Sequence, residues 1–241
     1  MGKINDAGAK SLCDALKSNT TLRLLYLGSN DLSDIGVKSC CELLKSNSTI
    51  TTLSLSGNKF NVDGAKAIGE VVVSNSTLTD LYIEWNNLGD QGVKLILEGL
   101  KSNVGITTLN ISENDIGIEG AISISQYLKS NSTLKSLYIY TNKIGDAGAH
   151  LICEALKSNS TLTTLHLGYN GIGCEGSKSI GEMLKFNSAL ETIYLVDNDL
   201  GGEGTKYIAE GLKLNSTLTT LYIGGSERYS FIIKHCRHLY G

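Results

Sequence analysis

Eleven residues of this 241-residue chain have side chains suited to recognition and stand at recurring spacings. Tyr26, Tyr82, Tyr138, Tyr194 and Tyr222, with His166 among them, are separated by multiples of 28 residues. Glu84, Trp85, Glu113, Tyr140 and Tyr169 stand two or three positions further along the same units. Tyrosine and tryptophan offer large rigid area with a polar tip, so the chemistry in view is non-covalent recognition, with two carboxylates adding charge. Catalysis has no comparable support. His150, His166, His235 and His238 are the only histidines, and no nucleophile–base pair can be assembled from repeating positions. His235-Cys236-Arg237-His238 packs three potential ligands into four residues, but a zinc site needs a second cluster and none follows. The expectation is therefore a non-enzyme with no catalytic residues, no metal and no cofactor.

Composition narrows the partner. The net charge is -3 and the isoelectric point about 5.8, so there is no global basic footprint for nucleic acid. No run of about 18 apolar residues exists, and no transmembrane segment is expected. Met1-Gly2-Lys3-Ile4-Asn5-Asp6 has no apolar stretch of a secretory signal, which predicts a cytoplasmic protein. The six cysteines form no CxxC pair; Cys13, Cys41 and Cys153 share one repeating column, with Cys40 beside it. They read as small buried hydrophobes in a reducing compartment.

The elements that must position these residues follow from a second, stricter pattern. Leu22, Ile50, Leu78, Ile106, Leu134, Leu162, Leu190 and Leu218 recur every 28 residues. Each opens a segment such as Leu22-x-x-Leu25-x-Leu27-x-x-Asn30-x-Leu32, and only the eighth fails, with Ser226 in place of the asparagine. The L-x-L piece reads as a strand with its leucines inward and the residues between them outward. The asparagine reads as a turn whose amide satisfies backbone groups, stacked in a row from unit to unit.

The second half of each unit reads as a helix. Val37, Cys40, Cys41 and Leu44 stand at i, i+3, i+4 and i+7. A glycine column (Gly36, Gly64, Gly92, Gly120, Gly148, Gly176, Gly204) predicts close packing where helix meets strand. An asparagine column (Asn19, Asn47, Asn75, Asn103, Asn131, Asn159, Asn187, Asn215) predicts a left-handed residue ending each helix. Six members of that column, such as Asn47-Ser48-Thr49, match the glycosylation pattern formally, and turn chemistry accounts for their placement. Acids such as Glu42 and Glu154 precede lysines such as Lys45 and Lys157 by three residues, which predicts paired charges on a solvated outer face.

With these columns in place, the chain resembles the ribonuclease-inhibitor-like class of leucine-rich repeats over residues 1 to about 225. Tails such as Asn142-Lys143-Ile144-Gly145-Asp146-Ala147-Gly148-Ala149 are similar to the repeats of NOD-like receptors and of Ran GTPase-activating protein. Ribonuclease inhibitor alternates two repeat types, whereas this chain reads as one type. The resemblance implies an α/β fold: a right-handed, horseshoe-shaped solenoid of 28-residue repeats, with a parallel sheet on the concave face and helices on the convex face. Residues 1–226 form the repeat domain, a partial first unit plus eight leucine segments. Residues 227–241 form a divergent tail, which reads either as a makeshift cap with Phe231, Ile232 and Leu239 inward or as a disordered or membrane-attracted segment.

Function is expected where the repeat varies, because solenoids bind along their concave surface. Seven of the eleven tyrosines and the single tryptophan fall in the outward columns, with the middle units the richest. The expected function is a protein-interaction module that takes a protein or peptide on this face, as the sensor part of a receptor-like protein. The alternative is a regulator of an enzyme, an inhibitor or GTPase activator, acting through the same face. The first helix lacks a preceding unit. That predicts either a fragment of a longer protein or an N-terminal edge that self-associates.

Overall fold

The computed structural model describes residues 3–224. Helix and strand alternate throughout: α1 (Asp6–Leu16), β1 (Leu24–Tyr26), α2 (Asp34–Ser46), β2 (Thr52–Ser54), α3 (Val62–Val72), β3 (Asp80–Tyr82), α4 (Gly89–Leu100), β4 (Thr108–Asn110), α5 (Ile118–Ser130), β5 (Ser136–Tyr138), α6 (Gly145–Leu156), β6 (Thr164–His166), α7 (Cys174–Leu184), β7 (Thr192–Tyr194), α8 (Gly201–Leu212) and β8 (Thr220–Tyr222). The strands form one parallel sheet in chain order, each paired with the next at an offset of one repeat, from Leu25↔Leu53 to Ile193↔Leu221. Strands in a sheet lie about 4.8 Å apart, whereas packed helices need about 8–10 Å. A stack joined unit by unit must therefore curve with its sheet on the inner, concave side.

The L-x-L alternation holds. Leu25, Leu53, Leu81, Leu109, Leu137, Leu165 and Ile193 point into a continuous core shared with the helix stripe, which includes Val37, Ile68, Ile96, Ile124 and Ile152. Cys13, Cys40, Cys41 and Cys153 are buried in that core. Backbone pairing continues past each three-residue strand: Leu27 N–H donates to Ser54 O at 2.8 Å, and Ser29 N–H to Ser56 O at 2.8 Å.

The turn asparagines form the expected ladder. Asn58 Nδ2 donates to Leu27 O and Leu55 O, both at 2.9 Å, and Asn58 Oδ1 accepts from Leu32 N. Its own N–H donates to Asn86 Oδ1 at 3.0 Å, linking one turn to the next. The carbonyls so satisfied are buried, where each loss would cost about 1–3 kcal/mol.

The helix-end asparagines are not left-handed. Asn47 (φ −93°, ψ 125°) and Asn131 (φ −79°, ψ 134°) are extended. Their column is a second ladder: Asn47 Nδ2 donates to Leu16 O and Asn19 O, and Asn47 Oδ1 accepts from Thr49 N and Ile50 N. Asn75, Asn103, Asn159 and Asn187 repeat these bonds. At Asn47, Asn75 and Asn159 the amide nitrogen that glycosylation would need is thus buried and engaged in a bond to the neighbouring unit.

The glycine column also differs from expectation. A Cβ on Gly64 would meet Phe60 of its own loop and Asp34 of the preceding helix, and one on Gly148 would meet Ile144 and Ala121. The close approach is therefore helix to helix, not helix to strand. Nor are the units of one type. Helices α3, α5 and α7 start from non-left-handed caps (Asn61, Gly117, Gly173), whereas α4, α6 and α8 start from left-handed glycines (Gly89, Gly145, Gly201). Asp90 and Asp146, next to the left-handed glycines, reach across and accept Gly117 N–H and Gly173 N–H, both at 2.6 Å. From α3 onward, two kinds of junction alternate with a 56-residue period, whereas α1 and α2 both start from extended caps, Asn5 and Ser33.

On the outer face the charge pairs form as spaced, for example Lys45–Glu42 and Lys157–Glu154, both at 2.6 Å. No helix among the described residues is long and apolar enough to cross a membrane. The expected tail over 227–241 and the Ser226 break lie outside the described residues.

Candidate functional site

All eleven candidate residues lie along the concave side, in three columns. The first lies within the strands, where Tyr138↔His166, His166↔Tyr194 and Tyr194↔Tyr222 are partners in register. The second, with Glu84 and Tyr140, extends the ladder beyond the strand ends: Gly57 N–H donates to Glu84 O and Glu113 N–H to Tyr140 O. The third is not strand at all. Ser29, Gly57, Trp85, Glu113, Thr141, Tyr169 and Asp197 all have φ between 51° and 62°. This is the left-handed position that the sequence suggested for the helix-end asparagines. A left-handed L-residue costs about 1–2 kcal/mol, and bulky side chains are rare there. Trp85 and Tyr169 occupy it nonetheless, and Trp85 is 57% exposed.

The aromatic residues separate into two regions instead of one central cluster. Toward the end of the described sheet, His166 stacks on Tyr194 (centroids 4.7 Å apart, planes 11°), and Tyr194 stacks on Tyr222 (4.6 Å, 4°). Tyr140 and Tyr138 tilt against the other side of His166 at 4.9 and 6.3 Å. The spacing of parallel strands makes this possible, since ladder partners lie near the 4.5–7 Å range of favourable ring pairs. Trp85 belongs to the earlier region. It lines an open groove of about 400 Å³ with Ser29, Gly57, Lys59, Asn87 and Lys3. Lys59 and Lys3 reach Asp31 at 2.7 and 3.5 Å.

Two residues expected at the surface are buried. His166 is 6% exposed, and burial lowers its pKa to about 4, so the ring is neutral. Its Nδ1 accepts Gly168 N–H at 3.2 Å, which places the proton on Nε2. One repeat pair earlier, Asn110 Oδ1 accepts Ser112 N–H in the same way at 3.1 Å.

Glu84 is 7% exposed. Burial raises its carboxyl to about 7, against hydrogen bonds from its own backbone and Ser56, and the charge of Glu113 raises it further. Ser54 and Ser56 hydroxyls lie 3.0 Å apart, so donors run from Ser54 to Ser56 to Glu84. Glu84 Oε2 and, at the next register position, Ser112 Oγ are buried without a hydrogen-bond partner. Tyr26 and Tyr222 are exposed; Tyr82, Tyr138, Tyr140, Tyr194 and Glu113 are half-buried.

The sequence reading missed Ser54, Ser56 and Ser112. Their only signal was that small polar residues stand between Tyr26, Tyr82 and Tyr138 in outward columns. Among the described residues no group of three or more His, Cys, Asp or Glu side chains could hold a metal ion.

Comparisons bear on the scaffold. A family model described as Leucine Rich repeat matches residues 18–39, 46–69, 74–97, 103–125, 130–153 and 158–181. No curated protein matches the chain in sequence. Among solved structures, the tropomodulin C-terminal domain of Caenorhabditis elegans is similar with a TM-score of 0.54 at 18% identity, covering 63% of this chain and 92% of that one. A structure titled leiomodin-1 actin-binding site 2 is similar with a TM-score of 0.46 at 17% identity, covering 83% and 95%. At such identities the first likeness speaks for the fold alone.

Proposed function

The chain belongs to the leucine-rich repeat family, and from that premise we propose that it is a protein-interaction module whose concave sheet face binds a protein or peptide. One observation carries this reading: the face holds a continuous run of rings, Tyr138, Tyr140, His166, Tyr194 and Tyr222, while Trp85 and Tyr169 stand beside the sheet at left-handed positions. Folding does not require bulky aromatics there, since Ser29, Gly57 and Thr141 occupy the same turn. Strained backbone that presents large side chains supports a functional reading. Rigid aromatics are the usual energetic anchors of an interface.

A sensor part of a receptor-like protein and a regulator of an enzyme would both work through this face, and the identity of the bound protein separates them. The test is capture by wild type and by the double variant Trp85→Ala, Tyr140→Ala, with Lys157→Ala on the outer face as control. Loss of about 2 kcal/mol or more, roughly 30-fold in affinity, is expected for the double variant alone. Equal capture by all three would remove the face from the interface.

A further inference from the structure

The outward positions of β2, β3 and β4 and their extensions differ from the rest of the face. They carry Thr52, Ser54 and Ser56, then Asp80, Tyr82, Glu84 and Trp85, then Thr108, Asn110, Ser112 and Glu113. Three carboxylates stand among them and no basic residue does. Asp80 is supplied with donors, accepting from Thr79 Oγ1 at 2.7 Å and Thr52 Oγ1 at 3.3 Å. Glu84 has Ser56 on one side, while its Oε2 and the hydroxyl of Ser112 lack partners. A buried carboxylate oxygen without a donor costs more than a neutral group does, and such a site is stabilised by an incoming donor that carries positive charge.

We propose that this acidic recess takes a basic side chain, arginine or lysine, projected by the protein partner: the Glu84 carboxylate turns outward from its buried position to accept from the charged head, and the aliphatic stem lies along the exposed Trp85. The inference rests on the concave face being the binding surface and names what one part of it recognises. Arginine fits best, because its planar fork supplies several donors at once and stacks on aromatic faces. Burial first, and then the charge of Glu113 beside β4, keep Glu84 protonated when no cation is bound. Asp80, further back on the same strand, adds to the attraction for a cation, and the lysines nearest Trp85, Lys59 and Lys3, are paired with Asp31.

Trp85 is the only tryptophan in the full chain, so its fluorescence reports on the recess directly. The probes are the capped tripeptides Gly-Arg-Gly and Gly-Glu-Gly, titrated into wild type and into Glu84→Gln checked by circular dichroism. Saturable binding of the arginine peptide on the order of millimolar is expected, weakened about tenfold in Glu84→Gln, with no response to the glutamate peptide. In wild type the affinity rises from about pH 6 to about pH 8 as Glu84 ionises, and this readout needs no variant. Equal affinity in Glu84→Gln, a flat pH profile in wild type, or binding of the glutamate peptide overturns the proposal. If only the aromatic double variant loses protein capture while the arginine peptide fails to bind, the face stands and the recess falls. If the peptide binds through Glu84 while capture is unchanged, the recess stands and the wider face falls.

Discussion

At the residue scale, the molecule places two titratable side chains where only one protonation state is comfortable. Glu84, raised from its ordinary 4.5 to about 7, keeps its proton longer when folded; the stability this gives is present below pH 4.5 and is lost as pH rises through 7. His166, lowered from 6.5 to about 4, does the opposite; its contribution is present above pH 6.5 and is lost as pH falls through 4. Each shift corresponds to on the order of 3 kcal/mol. The two slopes oppose each other between pH 4.5 and 6.5. Urea unfolding should therefore change little in wild type across that window. It should show stability rising with pH in Glu84→Gln and falling with pH in His166→Asn. Asparagine is the apt replacement, since Asn110 makes the same backbone bond one pair earlier. Parallel profiles in all three proteins would contradict the burial argument.

At the element scale, glycines do two separate jobs. A Cβ on Gly99 would run into the backbone carbonyl of Gly69 where α4 packs on α3, and Gly211 and Gly181 form the same contact between α8 and α7. Backbone cannot yield as a side chain can, so Gly99→Ala should cost about 3 kcal/mol or more through overpacking. Gly89 has φ +58° and nothing within 4 Å of the site of its Cβ. Gly89→Ala should cost only the left-handed penalty of about 1–2 kcal/mol. Thermal melts of the two variants rank them; an equal loss would mean that the α3–α4 contact relaxes freely.

At the scale of the whole molecule, stability is a sum of units and nearest-neighbour interfaces. Because the junctions alternate, the interchangeable piece is a pair of units. Deleting residues 89–144 joins Leu88 to Gly145 and keeps a left-handed start after α3, as Gly89 provides now. Deleting only 89–116 joins Leu88 to Gly117, putting an α5-type start against α3 and removing the Asp90 partner of Gly117 N–H. The shorter deletion should therefore lower the melting temperature more than the longer one, although it removes fewer residues. The reverse order would show that the alternation has no energetic weight.

The sequence by itself determined the repeat, the inward leucines, the turn-asparagine ladder and the face on which Tyr26 to Tyr222 must lie. Each of these depends on period and chemistry within one unit, so spacing along the chain suffices. What only the tertiary structure decided concerns contacts between units. Asn47 bonds across to Leu16 O and Asn19 O and is extended, whereas the left-handed residue is Trp85 or Tyr169, two types that composition would never nominate for that turn. Gly64 and Gly148 face neighbouring helices. The ring stack through His166 and the burial of Glu84 arise because side chains 28 residues apart are brought to the spacing of adjacent strands. Partner strands and helices meet only when the solenoid is wound, and its curvature, not the local pattern, sets how deeply an outward residue is covered.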